Sequence, residues 1–181
     1  MKKLGQELSI KLHHCLVLMV SVILALQPML ASIVYAQTVI TPDTAAPLAN
    51  QPTVAESLNH TPVENIATPS AAGVSHNQLT DLQVGNEGLI VNNSASTGVS
   101  TLGSVVIGNS NLSTGHEANI ILNEVTGTNT TSLNGPTEIF GKKAEYIVAN
   151  PNGISCNGCG FINTPKVTLT TECPIWMVRA I

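Results

Sequence analysis

The sequence predicts an all-β protein of short strands and sharp corners, with a parallel β-helix favoured over a β-sandwich. The first observation is a set of short apolar pieces: Leu89-Ile90-Val91, Val105-Val106-Ile107, Ile120-Ile121-Leu122, Tyr146-Ile147-Val148 and Val167-Thr168-Leu169. Each is too short for a helix and β-branched enough for a strand. The second is the corners between them, Asn92-Asn93, Gly108-Asn109, Asn134-Gly135-Pro136 and Asn150-Pro151, made of residues that favour turns. The third is that aromatic residues make up only 3% of the chain. A sandwich core wants larger side chains, whereas stacked coils build a narrow core from Val, Ile and Leu and tolerate Asn ladders at their corners. The pieces start at 89, 105, 120, 146 and 167, with spacings of 16, 15, 26 and 21, a loose recurrence on the scale of one solenoid coil.

Taken in order, residues 1–36 read as a signal peptide. Met1-Lys2-Lys3 opens a charged region, residues 16–26 are apolar except for Ser21, and Val34-Tyr35-Ala36 presents a peptidase site with cleavage after Ala36. Gln27 and Pro28 interrupt the apolar run, which favours export over a membrane anchor. Residues 37–73 carry Pro42, Pro47, Pro52, Pro62 and Pro69 among Thr, Ala, Ser and Asn. Scattered prolines deny helix and ladder hydrogen bonds, so this stretch is expected to be a disordered leader. From residue 74 to 171 the β-texture holds, and no apolar stripe at helical spacing intervenes. Only 10% of residues are charged and the net charge is −4, which leaves no basic footprint for nucleic acid.

The densest signal lies in residues 149–171. Asn150-Pro151-Asn152-Gly153 reads as a tight β-turn, because Asn suits its first position, Pro pre-sets φ at its second and Gly suits its last. Cys156-Asn157-Gly158-Cys159-Gly160 makes a second corner, and residues 167–170 alternate apolar and polar as a half-buried strand does.

Together with Phe161-Ile162-Asn163-Thr164, this run resembles a hallmark of the filamentous haemagglutinin family, in its N-terminal two-partner secretion, or haemagglutination activity, domain. Upstream segments agree in order: Ser75-His76-Asn77, Gly88-Leu89-Ile90-Val91-Asn92-Asn93, Asn123-Glu124-Val125-Thr126-Gly127 and Leu133-Asn134-Gly135-Pro136-Thr137-Glu138-Ile139-Phe140-Gly141. Asn109-Ser110-Asn111-Leu112 resembles the family's other turn motif, with Ser110 in place of the usual Pro. The resemblance spans residues 74–171 and implies a right-handed parallel β-helix, here incomplete and lacking later coils. It implies a non-enzymatic secretion and folding module of a large adhesin, exported through the periplasm of a Gram-negative bacterium to its surface or medium. The same module fronts contact-dependent growth inhibition toxins and haemolysins. The implied partner is an outer-membrane transporter whose periplasmic domains recognise the unfolded chain, and host-cell or bacterial surface receptors would be met through C-terminal regions. Asn109, Asn111, Leu112, Asn150, Pro151, Asn152, Gly153 and Ile154 are the expected secretion determinants, through turn geometry. Residues 172–181 leave the family pattern and read as an aberrant tail of a truncated fragment.

Cys156 and Cys159 are read foremost as a structural disulfide, which an exported protein favours. Unpaired packing cysteines are the second reading. A redox couple, and with it a periplasmic thiol oxidoreductase, would want a helix N-terminus beside the pair, and a zinc site would want four ligands. Cys173 is left unmatched. His60, His76 and His116 lie among polar residues without a catalytic motif; a triad of His76 and Asp81 lacks a nucleophile elbow, and His116-Glu117 lacks the second His of a zinc helix. No metal or cofactor is expected. The glycosylation triplets at Asn59, Asn92, Asn111 and Asn129 are what so Asn- and Thr-rich a chain carries by chance.

Overall fold

A computed structural model describes residues 13–14, 16–18 and 37–172. The chain divides into Met1–Val34 and Tyr35–Ile181. In the first unit the described residues are helical, and the remainder of the expected signal and its cleavage site at Ala36 lie outside the described residues. So do residues 173–181, including Cys173 and nearly all of the expected aberrant tail.

The second unit opens with β1 (Val39–Pro42), a 3-10 turn at Leu48–Asn50, β2 (Thr53–Glu56) and β3 (Pro62–Asn65). A first coil follows, of β4 (Val74–Val84) and β5 (Leu89–Asn93), then an excursion containing β6 (Gly98–Ser100) and β7 (Ser104–Val106). The second coil is β8 (Ile120–Val125), β9 (Thr131–Leu133) and β10 (Pro136–Gly141). The third is β11 (Glu145–Ala149), β12 (Ile154–Cys156) and β13 (Gly160–Ile162), and β14 (Val167–Thr170) begins a fourth.

The coils stack in parallel on three faces. On one, the start of β4 pairs with β8, β8 with β11 and β11 with β14. On the next, the end of β4 pairs with β9 and β9 with β12. On the third, β5 pairs with β10 and β10 with β13. The fold is therefore the expected parallel β-helix, and it excludes the sandwich.

The coil length is read from register. Glu145 stands over Ile120, Val167 over Tyr146, Cys156 over Leu133 and Phe161 over Thr137. One coil thus takes 21 to 25 residues. The spacings read from sequence mixed faces: residues 120, 146 and 167 share one, but Leu89 belongs to another and Val105 to the excursion. The first coil is about twice as long as the others because residues 94–119 leave it before Val74 is matched by Ile120.

Residues 37–73 are not the disordered leader expected from their prolines. β1 pairs antiparallel with the outer edge of β4, and β3 pairs parallel with the outer edge of β5 and antiparallel with β2. The leader thus covers the strand edges that the first coil would otherwise leave open, and unpaired edges are what a sheet must protect. The prolines sit where strands tolerate them: Pro62 begins β3, Pro42 ends β1 at a register shift, Pro47 precedes the 3-10 turn and Pro52 precedes β2. Sequence texture alone counted prolines without their positions.

The interior of the coils is a narrow apolar stack that includes Leu79, Leu89, Val91, Ile121, Ile139 and Val148. Alternation sends Ile90 to the other side of its sheet, where it meets Val63, Val106 and Phe140 beneath the β6–β7 hairpin. Glu138 fastens that hairpin from β10. Its carboxylate accepts from Ser100 Oγ (2.7 Å), Thr101 N (3.0 Å) and Leu102 N (2.9 Å). Between β9 and β10, a Cβ on buried Gly135 would strike the Gly85 carbonyl of the coil below, so the stacked corner admits only glycine there.

Candidate functional site

The two Asn motifs lie at corners of different origin and share one construction. Residues 150–153 turn the chain from β11 to β12. Gly153 N donates to Asn150 O (3.1 Å), closing a β-turn, while Asn152 N donates to Asn150 Oδ1 (2.9 Å), closing an Asx-turn inside it. Asn150 is fully buried, and its Nδ2 donates to Asn129 O and Thr131 Oγ1, both 2.9 Å, on the preceding coil. Its backbone N reaches forward to Thr170 O (3.0 Å). Asn152 Nδ2 donates to Gly127 O (2.8 Å), also on the preceding coil. Gly153 has φ +116°, a conformation costly for any other residue, and Ile154 packs against the interior.

Residues 109–112 repeat this in the excursion. Leu112 N donates to Asn109 O (3.1 Å) and Asn111 N to Asn109 Oδ1 (2.9 Å). Buried Asn109 donates through Nδ2 to Ile66 O (2.9 Å) and Asn92 O (3.1 Å), and Asn111 Nδ2 also reaches Ile66 O (3.1 Å). Leu112 packs against the same interior that receives Ile154. In each motif the first Asn fixes the turn and anchors it to another layer, the second adds a further anchor, and an apolar residue plugs the core. The intervening Pro151 and Ser110 are exposed.

Cys156 and Cys159 are joined in a disulfide, Cα atoms 5.3 Å apart, across the corner that follows β12. This corner rests on the second coil, with Asn157 N donating to Leu133 O (3.0 Å).

The histidines are dispersed. His60 pairs with Glu56 (3.0 Å) on the surface, His76 with Glu124 (2.7 Å) between β4 and β8, and His116 contacts Ser113. Asp81 bonds to Gln83 and Asn129 instead of meeting His76. Among the described residues no group of three His, Cys, Asp or Glu side chains could hold a metal ion.

Reading by residue type passes over a polar chain inside the coils. Asn77 donates to Asn123 Oδ1 (2.9 Å), and Asn123 donates to Glu64 Oε2 (2.6 Å) and Tyr146 Oη (3.2 Å). Its only visible signal is an Asn at matching places in Ser75-His76-Asn77-Gln78 and Ile121-Leu122-Asn123-Glu124. Glu64 comes from the leader, where nothing in the sequence marks it.

A stacked parallel β-helix with a capped N-terminal end and corners pinned by buried asparagines defines the class of the domain, a short solenoid covered at its first coil. The chain matches the model of the TPS (two-partner) secretion domain over residues 38–177 and belongs to that family. It is 49% identical over 158 residues to the 16S rRNA endonuclease CdiA of Enterobacter cloacae, covering 87% of this chain and 4% of that protein. It is 47% identical over 164 residues to a tRNA nuclease CdiA of Escherichia coli O6:K15:H31, covering 90% of this chain and 5% of that protein. A hemolysin of Serratia marcescens is 46% identical over 131 residues, covering 72% of this chain and 8% of the hemolysin. The crystallised filamentous hemagglutinin secretion domain superposes with a TM-score of 0.67 at 41% identity, covering 75% of this chain and 43% of that one. The chain thus spans less than a tenth of the length of these curated relatives. It is the secretion module of an exported Gram-negative protein delivered across the outer membrane to the surface or medium. The family implies recognition by an outer-membrane transporter, and its secretion domains are non-catalytic modules.

Proposed function

We propose that the corners at Asn109, Asn111 and Leu112 and at Asn150, Pro151, Asn152, Gly153 and Ile154 are the secretion determinants of this module, and that they act by directing its folding once the transporter has engaged the chain. The observation that carries this is the shared construction of the two corners. In the folded domain both first asparagines are buried and committed to other layers. A transporter cannot read a buried amide from outside, so periplasmic domains that select these residues do so before folding. The same side chains then close the turns, and folding draws the chain outward.

The test co-expresses the chain with its transporter and assays the medium, with refolding of each variant measured separately in vitro. Asn150→Ala leaves the buried Thr131 Oγ1 and the more exposed Asn129 carbonyl without their donor, at about 1–3 kcal/mol. Secretion should fall for Asn150→Ala and for Asn152→Ala, and refolding should slow in parallel. Undiminished secretion would remove these residues from the mechanism, whereas lost secretion with normal refolding would assign them to transporter contact alone.

For the exported protein as a whole, we propose a toxin of the contact-dependent growth inhibition type. The support is that relatives named CdiA align over 87% and 90% of the chain at 47–49% identity. Its receptors on neighbouring bacteria would be met by regions beyond this module. An adhesin is the second reading, favoured by the hemagglutinin secretion domain at 41% identity. We also propose that the chain itself catalyses nothing: Cys156 and Cys159 staple a corner rather than turning over thiols, and neither cofactor nor nucleic acid is used.

A further inference from the structure

Glu64 is an unusual residue to bury. It belongs to β3, the leader strand that completes the sheet beside β5, and its side chain is wholly enclosed. One carboxyl oxygen accepts from Asn123 Nδ2 at 2.6 Å, and the other, Oε1, has no hydrogen-bond partner. Asn123 belongs to the second coil, so this one contact ties the leader through the interior to a strand 59 residues away. Val63 and Ile66, on either side of Glu64 in the chain, are buried in apolar clusters. An ionised carboxylate with one bare oxygen in such a setting costs far more than a neutral acid.

We propose that the β1–β3 cap is a proton-coupled latch: β3 docks on the first coil with the Glu64 carboxyl neutral, and ionisation of that carboxyl weakens the cap's hold. This stands apart from the role given to the Asn corners. Midway between pH 4.5 and about 7 a released leader carries an ionised Glu64 while the docked carboxyl is neutral, so docking there takes up a proton from solvent, and release returns it.

The groups facing Glu64 supply no compensating charge. Asn123 of β8 and Asn77 of β4 are neutral donors and acceptors. The Tyr146 phenol of β11, which shares Asn123, is itself held well above its ordinary range by burial and then by the nearby Glu64 carboxyl, so it stays neutral. On β3 and β2 the remaining charged side chain is Glu56, exposed and paired with His60. His76 and Glu124 pair on the outer side of the β4–β8 ladder, since Asn77 and Asn123 point inward between them. Burial raises the Glu64 pKa from 4.5 to about 7, with the Asn123 hydrogen bond pulling the other way. The docked state therefore holds its proton more tightly than the free leader. Docking is strongest below pH 4.5, weakens as pH rises from there to about 7, and levels off above it. Across that window the docking equilibrium changes on the order of a hundredfold.

The test is made on the full chain by nuclear magnetic resonance. The Glu64 carboxyl carbon should titrate near neutrality, and amide protection factors in β1–β3, corrected for intrinsic exchange, should fall between pH 5 and pH 8. Glu64→Gln, which keeps the shape and cannot ionise, should abolish that fall and leave the cap better protected than the parent at pH 8. A Glu64 carboxyl that titrates in the ordinary carboxylate range overturns the latch. So does a pH dependence that persists in Glu64→Gln. If Glu64→Gln fails to fold, the carboxyl titration of the parent chain still decides.

Discussion

At the scale of the residue, the asparagines are the organising side chains, because an amide both accepts and donates. Asn150 and Asn109 each use Oδ1 to close their own turn and Nδ2 to grip another layer. An Asp could do only the first and an Ala neither. The two corners differ at their second position, where Pro151 is matched by exposed Ser110. Proline at that position fixes φ in advance and lowers the entropy of the unfolded chain. Asn150 already shows that the first Asn of such a turn accepts a following proline. Ser110→Pro should therefore stabilise the domain by about 0.4–1 kcal/mol, read as a raised urea midpoint at unchanged slope. A lower midpoint would mean that the two corners are less alike than their hydrogen bonds indicate.

At the scale of the element, the β6–β7 hairpin and the leader are the parts that do not belong to the repeating coil, and they depend on single anchors. Glu138 holds the hairpin by three hydrogen bonds, two of them from backbone N–H groups at its tip. Glu138→Ala should loosen residues 98–106 and cost about 2–3 kcal/mol, since charged acceptors contribute more than neutral ones. Limited proteolysis should then cut within the hairpin while the coils stay whole; cleavage unchanged from the parent would show that Val106 and Phe140 hold it by packing alone. These elements also mark the limit of what the sequence discloses. The turn at residues 150–153 was legible because each of its residues has a local reason to be there. The order of the leader was not, because its strands are stable only against β4 and β5, a non-local fact. The inward place of Glu64 was hidden in the same way: alternation says that β3 has two faces but not which one meets the interior. The coil period was blurred because the excursion inserts apolar strands that resemble coil strands in isolation.

At the scale of the molecule, a solenoid is a chain of neighbours, and its stability is nearly a sum of each coil and its interfaces. The coils of this chain are unequal. β5 is buried throughout, β8 and β10 are buried in four of their six residues each, and β11 in four of its five. In β12, β13 and β14 no residue is fully buried, although these strands keep their parallel pairing. The leader covers the N-terminal end of the stack, whereas within the described residues β12, β13 and β14 each pair on one side only. Opening should therefore begin at β14 and pass through β13 and β12 before it reaches β8. The Cys156–Cys159 disulfide slows this spread only locally, since it closes a loop of three bonds in sequence and constrains the unfolded chain by about 2 kcal/mol. Native-state hydrogen exchange gives the check: amides of β14 should exchange by local fraying, those of β12 and β13 at intermediate free energy, and those of β8 and β5 only by global unfolding. Equal protection across all coils would mean that the stack opens as one unit and that burial does not rank its parts.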